Sequence, residues 1–336
     1  MSRKCARWTV AGLLAGVLVA EAGDQVTLRL ALRKGEVFKY RMTQKQEQAI
    51  TPPGLQTMKT SASQIFELTH TVTDVDSAGT ATVTIRYDRL KVDMDAGLMR
   101  IQYDSAAPGN EESMFSRMYG AMAGKEIQVK LTAKGECIEV SGFAAILEEM
   151  FGSGAPELAA VASMVKQSFS DEAMKDMFGT VYPGLPAGPV RPGHTWNTRA
   201  ELKLPIIGTL VSDLTSEYTG IETVAGRDCA VIKQSGTMDM EGKMDLASVL
   251  GPEQAAALAA LETNLKMNDG AVSGKLYVDR ERGFQVKVEN VTDMDMEINI
   301  SMPASADPTG SGTAPQPRAM TQRMKMKSVT RMELVE

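Results

Sequence analysis

Two stretches near the C-terminal end constrain the fold more than any other feature. From Phe284 to Ser301 polar and apolar residues alternate, most cleanly in Asp293-Met294-Asp295-Met296-Glu297-Ile298. From Met320 to Val335 they alternate again with basic residues, as in Arg323-Met324-Lys325-Met326-Lys327. A period of two places alternate side chains on opposite faces of a strand. Each stretch therefore has one Met/Ile/Leu face and one charged face. One antiparallel register sets Glu297 against Arg323, Asp295 against Lys325, Asp293 against Lys327, Glu289 against Arg331 and Lys287 against Glu333. The same register sets Met296 against Met324, Met294 against Met326, Val288 against Met332 and Val286 against Leu334. A slip of two residues opposes Glu289 to Glu333 and strips Asp293 of its cation. Opposed charges contribute roughly 0.2–1 kcal/mol per pair and like charges cost a similar amount, so this register is predicted for a final hairpin.

The other end of the 336-residue chain carries a targeting pattern. Arg3, Lys4 and Arg7 precede an apolar run from Trp8 to Ala20, and Ala20-Glu21-Ala22 is a small-x-small cleavage site. The run is short for a membrane span of about 20 residues. Residues 1–22 are expected to be a signal peptide cleaved near Ala22, giving a periplasmic or secreted protein with no membrane span in its mature chain. The net charge is −6, and loss of Arg3, Lys4 and Arg7 makes the mature chain more acidic. That balance excludes the electrostatic footprint of a nucleic-acid binder. Aromatic residues make up 5% of the chain against 23 methionines. Thioether side chains must then fill space that Leu, Ile and Phe usually fill.

Between these ends the pattern is strand-dominated. Residues 23–141 form a first β-rich half. Val26 to Leu32 and Phe38 to Met42 alternate around Lys34-Gly35 and predict an opening hairpin. Strands follow at Ile65 to Val75, Thr80 to Met94, Leu98 to Tyr103 and Ile127 to Val140, with a helix from Asn110 between the last two. Residues 142–192 form a helical insert and a Pro/Gly-rich connection. Within it, Ser141 caps a helix bearing Phe143, Ile146, Leu147 and Met150. A second helix carries Leu158, Val161 and Val165, and Ser170 caps a third with Met174, Met177 and Phe178. Residues 193–336 form a second β-rich half, with strands at Thr195 to Leu204, Gly208 to Tyr218, Cys229 to Thr237 and Gly274 to Val278. One helix is expected from Pro252, and a flexible low-complexity loop over 303–318 forms the tip of the final hairpin. The sum is a mostly-β α+β protein: two antiparallel meander sheets, curved or half-barrel, with a helical insert.

Three short turn motifs carry a family resemblance. Lys34-Gly35-Glu36-x-x-x-Tyr40, Pro192-Gly193-x-Thr195-Trp196 and Tyr277-x-Asp279-x-Glu281-x-Gly283 resemble an uncharacterised bacterial envelope family, domain-of-unknown-function family 6263. Position 194 is His where that family pattern suggests an acid. The last hairpin is also similar to those of lipoprotein-carrier-like curved β-sheets, which implies a periplasmic sheet wrapped around a lipophilic guest. No catalytic or binding residue is carried over from either resemblance.

Chemistry-bearing motifs are sparse. The two histidines, His70 and His194, do not cluster with cysteines at zinc-ligand spacing, so no metal site and no cofactor is expected. There is no Gly-x-Ser-x-Gly elbow and no phosphate-binding glycine loop, and the chain is read as a non-enzyme. Cys137 and Cys229 remain after processing and are the candidate disulfide in an oxidising compartment; two separately buried thiols are the equal alternative. The paired methionines are the sharper signal. Thioethers suit Cu(I), yet their ordinary role is to replace Leu and Ile in a core. A third role is the wall of a concavity, because Met-rich surfaces adapt to varied apolar guests. Polar pairs on the same face, Asn290 opposite Thr330 and Thr292 opposite Ser328, fit that third role. Met294, Met296, Met324, Met326, Asn290 and Thr330 are therefore the candidate ligand-lining residues. The function expected is binding of a lipid or lipoprotein in an apolar concavity. The alternative is a structural or adhesion module that meets an envelope protein and takes no small ligand.

Overall fold

The structure is a computed structural model that describes residues 25–97, 99–107, 114–151, 170–181, 184–204, 208–244, 262–302 and 318–335. Among these, twelve strands form one antiparallel sheet. The first half supplies β1 (Val37–Thr51), β2 (Met58–Val75), β3 (Ala81–Asp95), β4 (Arg100–Asp104), β5 (Glu126–Leu131) and β6 (Cys137–Ser141). The second supplies β7 (Thr195–Leu204), β8 (Gly208–Val224), β9 (Arg227–Met244), β10 (Glu262–Asp279), β11 (Gln285–Met302) and β12 (Arg318–Leu334). Their order is β6-β5-β3-β2-β1-β12-β11-β10-β9-β8-β7, with β4 added to β3. Both expected meanders are present, and pairing of β1 with β12 joins them into one sheet.

The final hairpin has the predicted register. Glu297 opposes Arg323, Asp293 opposes Lys327, Met296 opposes Met324 and Val288 opposes Met332. Lys325 lies 3.4 Å from Asp295 and Lys327 3.7 Å from Asp293, with both lysines well exposed, so these pairs fix alignment more than stability. Lys287 turns instead to Glu289 on its own strand, 3.1 Å away.

One face of the sheet is traced across its strands by following partners. Tyr218, Ile232, Leu276, Val288, Met332, Met42, Phe66 and Leu90 form one continuous apolar row from β8 to β3. Two residues further along the strands the next row reads Ser216, Gln234, Gly274, Asn290, Thr330, Gln44 and Gln64. That polar belt separates the apolar row from the methionine ladder. Within it Gln234 donates to Ser216 Oγ over 3.3 Å and Gln44 to Ser328 Oγ over 3.3 Å. Gly274 leaves room on β10 that the Asn290 side chain fills; a Cβ there would strike the Asn290 carboxamide.

The sheet curls so that this face is inward, but it does not close. α1 (Met114–Met122) lies between β4 and β5 and α2 (Phe143–Phe151) opens the helical insert, where it buries Phe143, Ile146 and Leu147 as its stripe predicts. α3 (Asp171–Val181) starts where expected, with Ser170 Oγ accepting from the Ala173 amide. It packs against both β6 and β7, the two edge strands, and Met174 is its buried anchor. A covered edge is protected from pairing with another chain. No helix among the described residues is long and apolar enough to cross a membrane. The signal peptide, the expected helices around Leu158 and after Pro252, and the 303–317 loop lie outside the described residues.

The opening hairpin is not formed. Residues 25–33 pair with neither β1 nor each other; Val26 makes an isolated bridge to Val190, the Leu30 amide bonds to the Ala133 carbonyl and the Ala31 amide to the Arg282 carbonyl. The segment threads through the curl with Val26, Leu28 and Leu30 buried. Alternation was satisfied by insertion, which needs the same extended backbone as a strand.

Candidate functional site

The three motifs converge on that inserted segment. In the first, Gly35 turns the chain at φ 88°, and Glu36 accepts from the Arg33 amide over 2.8 Å while pairing with Arg282. Partial burial raises the Glu36 pKa, but the bonds from Arg282 and Arg33 outweigh it and hold the carboxyl below its ordinary value. In the third motif Asp279 is 5% exposed. It accepts from the amides of Glu281 and Arg282 at 3.0 and 2.9 Å and meets Arg227 Nη1 at 3.2 Å. Gly283, at φ 71°, lets the Arg29 backbone pass where any Cβ would collide with its carbonyl. The first and third motifs then meet directly. Tyr40 donates its hydroxyl to the Gln285 carbonyl over 2.9 Å, and the rings of Phe38 and Phe284 lie 4.5 Å apart. Arg227 and Arg282 stand 5.2 and 5.9 Å from the Phe284 ring centre. In the second motif the Gly193 amide bonds to the Tyr218 carbonyl, and Trp196 packs on the cluster that holds Val26, Leu28 and Val190.

These contacts line a partly open apolar cavity of ≈ 60 Å³. One wall comes from Val83 and Leu131 in the first half and the opposite wall from Leu276 and Val278 in the second, with Phe38 and Leu30 between. Strands far apart in the sheet face each other across it, which is the direct mark of the curl. The lining holds two ionisable groups, Tyr40 and His70. His70 is 8% exposed, sits on β2 opposite Phe38, and packs against the Tyr40 ring at 4.6 Å. Burial pushes its pKa down to about 4, so the ring is neutral at ordinary pH. Neutral imidazole offers one hydrogen-bond donor and one acceptor.

The methionines predicted to line a site are brought together but play two parts. Met296 is 5% exposed and closes a cluster with Met240, Leu265 and Met267, with Met324 packed on its edge. Met294 and Met326 border a larger open groove of ≈ 890 Å³. That groove is mostly charged, walled by Glu47, Lys59, Asp95, Asp269, Asp293 and Lys327 among others. The Gln46 and Gln48 carboxamides rest on the Met326 and Met324 sulfurs. Asn290 and Thr330 are paired in the polar belt, away from both concavities. Cys137 and Cys229 do not form the candidate disulfide; both are free. They lie on β6 and β9, and each thiol rests on a backbone carbonyl of its own strand. Burial raises both thiol pKa values, which disfavours the reactive thiolate. Among the described residues no group of His, Cys, Asp and Glu is placed to hold a metal ion.

Sequence reasoning set His70 aside as an isolated strand histidine and did not find the cavity. The available signal was the co-occurrence of the 34–40 and 277–283 motifs, each too short to reveal that they touch.

No curated protein matches the sequence. Among solved structures, lipovitellin, in a study of its lipid–protein interactions, is similar at 10% identity and a TM-score of 0.40, over 90% of this chain and 25% of its own. The chain thus spans about a quarter of lipovitellin. DynF from the dynemicin pathway of Micromonospora chersina aligns at 9% identity and a TM-score of 0.17, over 97% of this chain and 92% of its own. The outer membrane protein OprG of Pseudomonas aeruginosa aligns at 8% identity and a TM-score of 0.21, over 90% of this chain and 97% of its own. Similarity this distant carries no argument about function. The sequence itself matches one family model over residues 78–285, from the β2–β3 turn to the first residue of β11, including the second and third motifs. Covering more than half of the chain, that match makes the protein a member of DUF6263, a family of unknown function.

Proposed function

We propose that the protein is a non-enzymatic periplasmic or secreted binder of a lipophilic ligand, seated at the closed end of the curved sheet. The observation that carries this reading is the apolar cavity between β3 and β5 on one side and β10 on the other. Well-packed interiors hold few voids larger than a water molecule, and an empty apolar cavity takes up small apolar guests readily. Its volume suits one short apolar group, such as the end of an acyl chain or the phenyl ring of an aromatic dye, with the remainder of the ligand outside. The basic and apolar pattern of residues 1–22 supports export. N-terminal sequencing of the cell-envelope fraction should begin near Gly23.

The test is uptake of the hydrophobic dye N-phenyl-1-naphthylamine, together with mass spectrometry of an organic extract of the purified protein. Dye fluorescence should rise on binding, and Leu131→Trp, which fills the cavity, should abolish the rise while the circular dichroism spectrum is retained. No uptake by the wild type and no co-purifying lipid would defeat the proposal. A second reading, a structural module acting through protein partners, is favoured by the burial of Met240, Met267 and Met296. It is the reading to adopt if the dye fails.

A further inference from the structure

Three polar side chains, Tyr40, His70 and Gln285, line the otherwise apolar cavity. His70 is buried, and its imidazole lines the apolar void. Its ring packs against the tilted Tyr40 ring. Its cross-strand neighbours on β1 and β3 are Phe38 and Ile85. An imidazole facing an apolar void gives up hydrogen bonds to bulk water, at about 1–3 kcal/mol unless a partner replaces them, and Leu or Phe would fill this position without that cost. The Tyr40 hydroxyl donates to the Gln285 carbonyl, the Gln285 side chain lines the same cavity, and Thr69 on the opposite face donates to Asp88.

We infer that His70 is the recognition group of the cavity, and that the ligand is a neutral amphiphile whose aliphatic chain ends in a single hydroxyl or carbonyl. This rests on the proposed lipophilic site and narrows its ligand class. The chain end enters among Leu30, Val72, Leu131 and Leu276, and the oxygen meets the imidazole. A hydroxyl donates to the unprotonated ring nitrogen, whereas a carbonyl accepts from the N–H. A carboxylate is disfavoured, because the lining supplies no cation and the neutral ring offers one donor. A wholly saturated chain leaves the imidazole as unsatisfied as it is in the empty cavity. A site built to hydrogen-bond a ligand group rejects analogues that lack it.

The experiment compares 1-hexanol with n-hexane on the full-length mature protein, using displacement of N-phenyl-1-naphthylamine. In His70→Phe the hexanol-to-hexane affinity ratio should fall by about five- to tenfold, the worth of one buried hydrogen bond. His70→Gln, which keeps a donor and an acceptor, should restore most of it. A measurement on the wild type avoids dependence on a variant's folding: hexanol should move the His70 ring ¹⁵N resonances and hexane should leave them in place. If both probes displace the dye and neither the ratio nor the resonances respond, the role of His70 is wrong while the lipophilic site stands. If neither probe displaces it, both fall.

Discussion

The same inward face is finished differently at its two ends. At the closed end Phe38, Phe66, Val72, Val83, Ile127 and Val129 pack around an inserted segment, beside a small, partly open apolar cavity. At the far end Met240, Met267 and Met296 pack mainly on one another and on Leu265, and the neighbouring concavity is open and charged. The Ser/Gln/Asn/Thr belt lies between them. Branched and aromatic side chains are stiff and leave defined gaps, whereas the three rotatable bonds of methionine let it fill whatever shape is present. A preformed cavity belongs with the first kind of packing.

The largest effect should come from the closed end. Phe284→Ala removes the ring that joins Phe38 to Arg227 and Arg282 and should cost about 3–5 kcal/mol in urea unfolding. A loss under about 1 kcal/mol would erase the contrast between the ends. Next is acidity. His70 has its pKa lowered from 6.5 to about 4 by burial. Between those values the unfolded chain binds a proton that the folded state refuses, so stability must fall as pH drops from 6.5 toward 4. The linked loss approaches about 3 kcal/mol, and His70→Phe should flatten that part of the pH–stability curve. An unchanged curve would place the imidazole in contact with water.

The methionine end should respond less. Met296→Leu keeps volume and apolarity and should cost below about 1.5 kcal/mol. A larger loss would show a core as specific as that at the closed end. Smallest of all, Lys325→Ala deletes an exposed partner of Asp295 and should change stability by no more than about 1 kcal/mol, with the effect vanishing in high salt.

Legibility in the sequence follows the range of the interactions. The β11–β12 register was readable because acids and bases oppose each other residue by residue, so a slip carries an immediate penalty. β7 was readable to its ends, since Thr195 to Leu204 alternates without interruption. β10 runs well beyond the Gly274 to Val278 stretch that its sequence marks, because Gly270 and the shift between Met267 and Asp269 break the alternation that its neighbours nonetheless enforce. The Val26 to Leu32 stretch was assigned the wrong partner because a period of two specifies an extended chain and says nothing of what covers it. The cavity was invisible because its walls lie some two hundred residues apart in sequence and become neighbours only when β1 pairs with β12. The methionine faces were located correctly, but thioethers serve a core and a cavity wall equally well, so their role had to come from burial.

The central claim is that the sheet curls around an apolar space at one end without closing. A crystal structure determined under xenon pressure tests it most directly, because dry apolar cavities bind xenon. The account predicts an anomalous peak enclosed by Phe38, Val72, Leu131, Leu276 and Val278. Side chains filling that space, or xenon only at the methionine end, would contradict it.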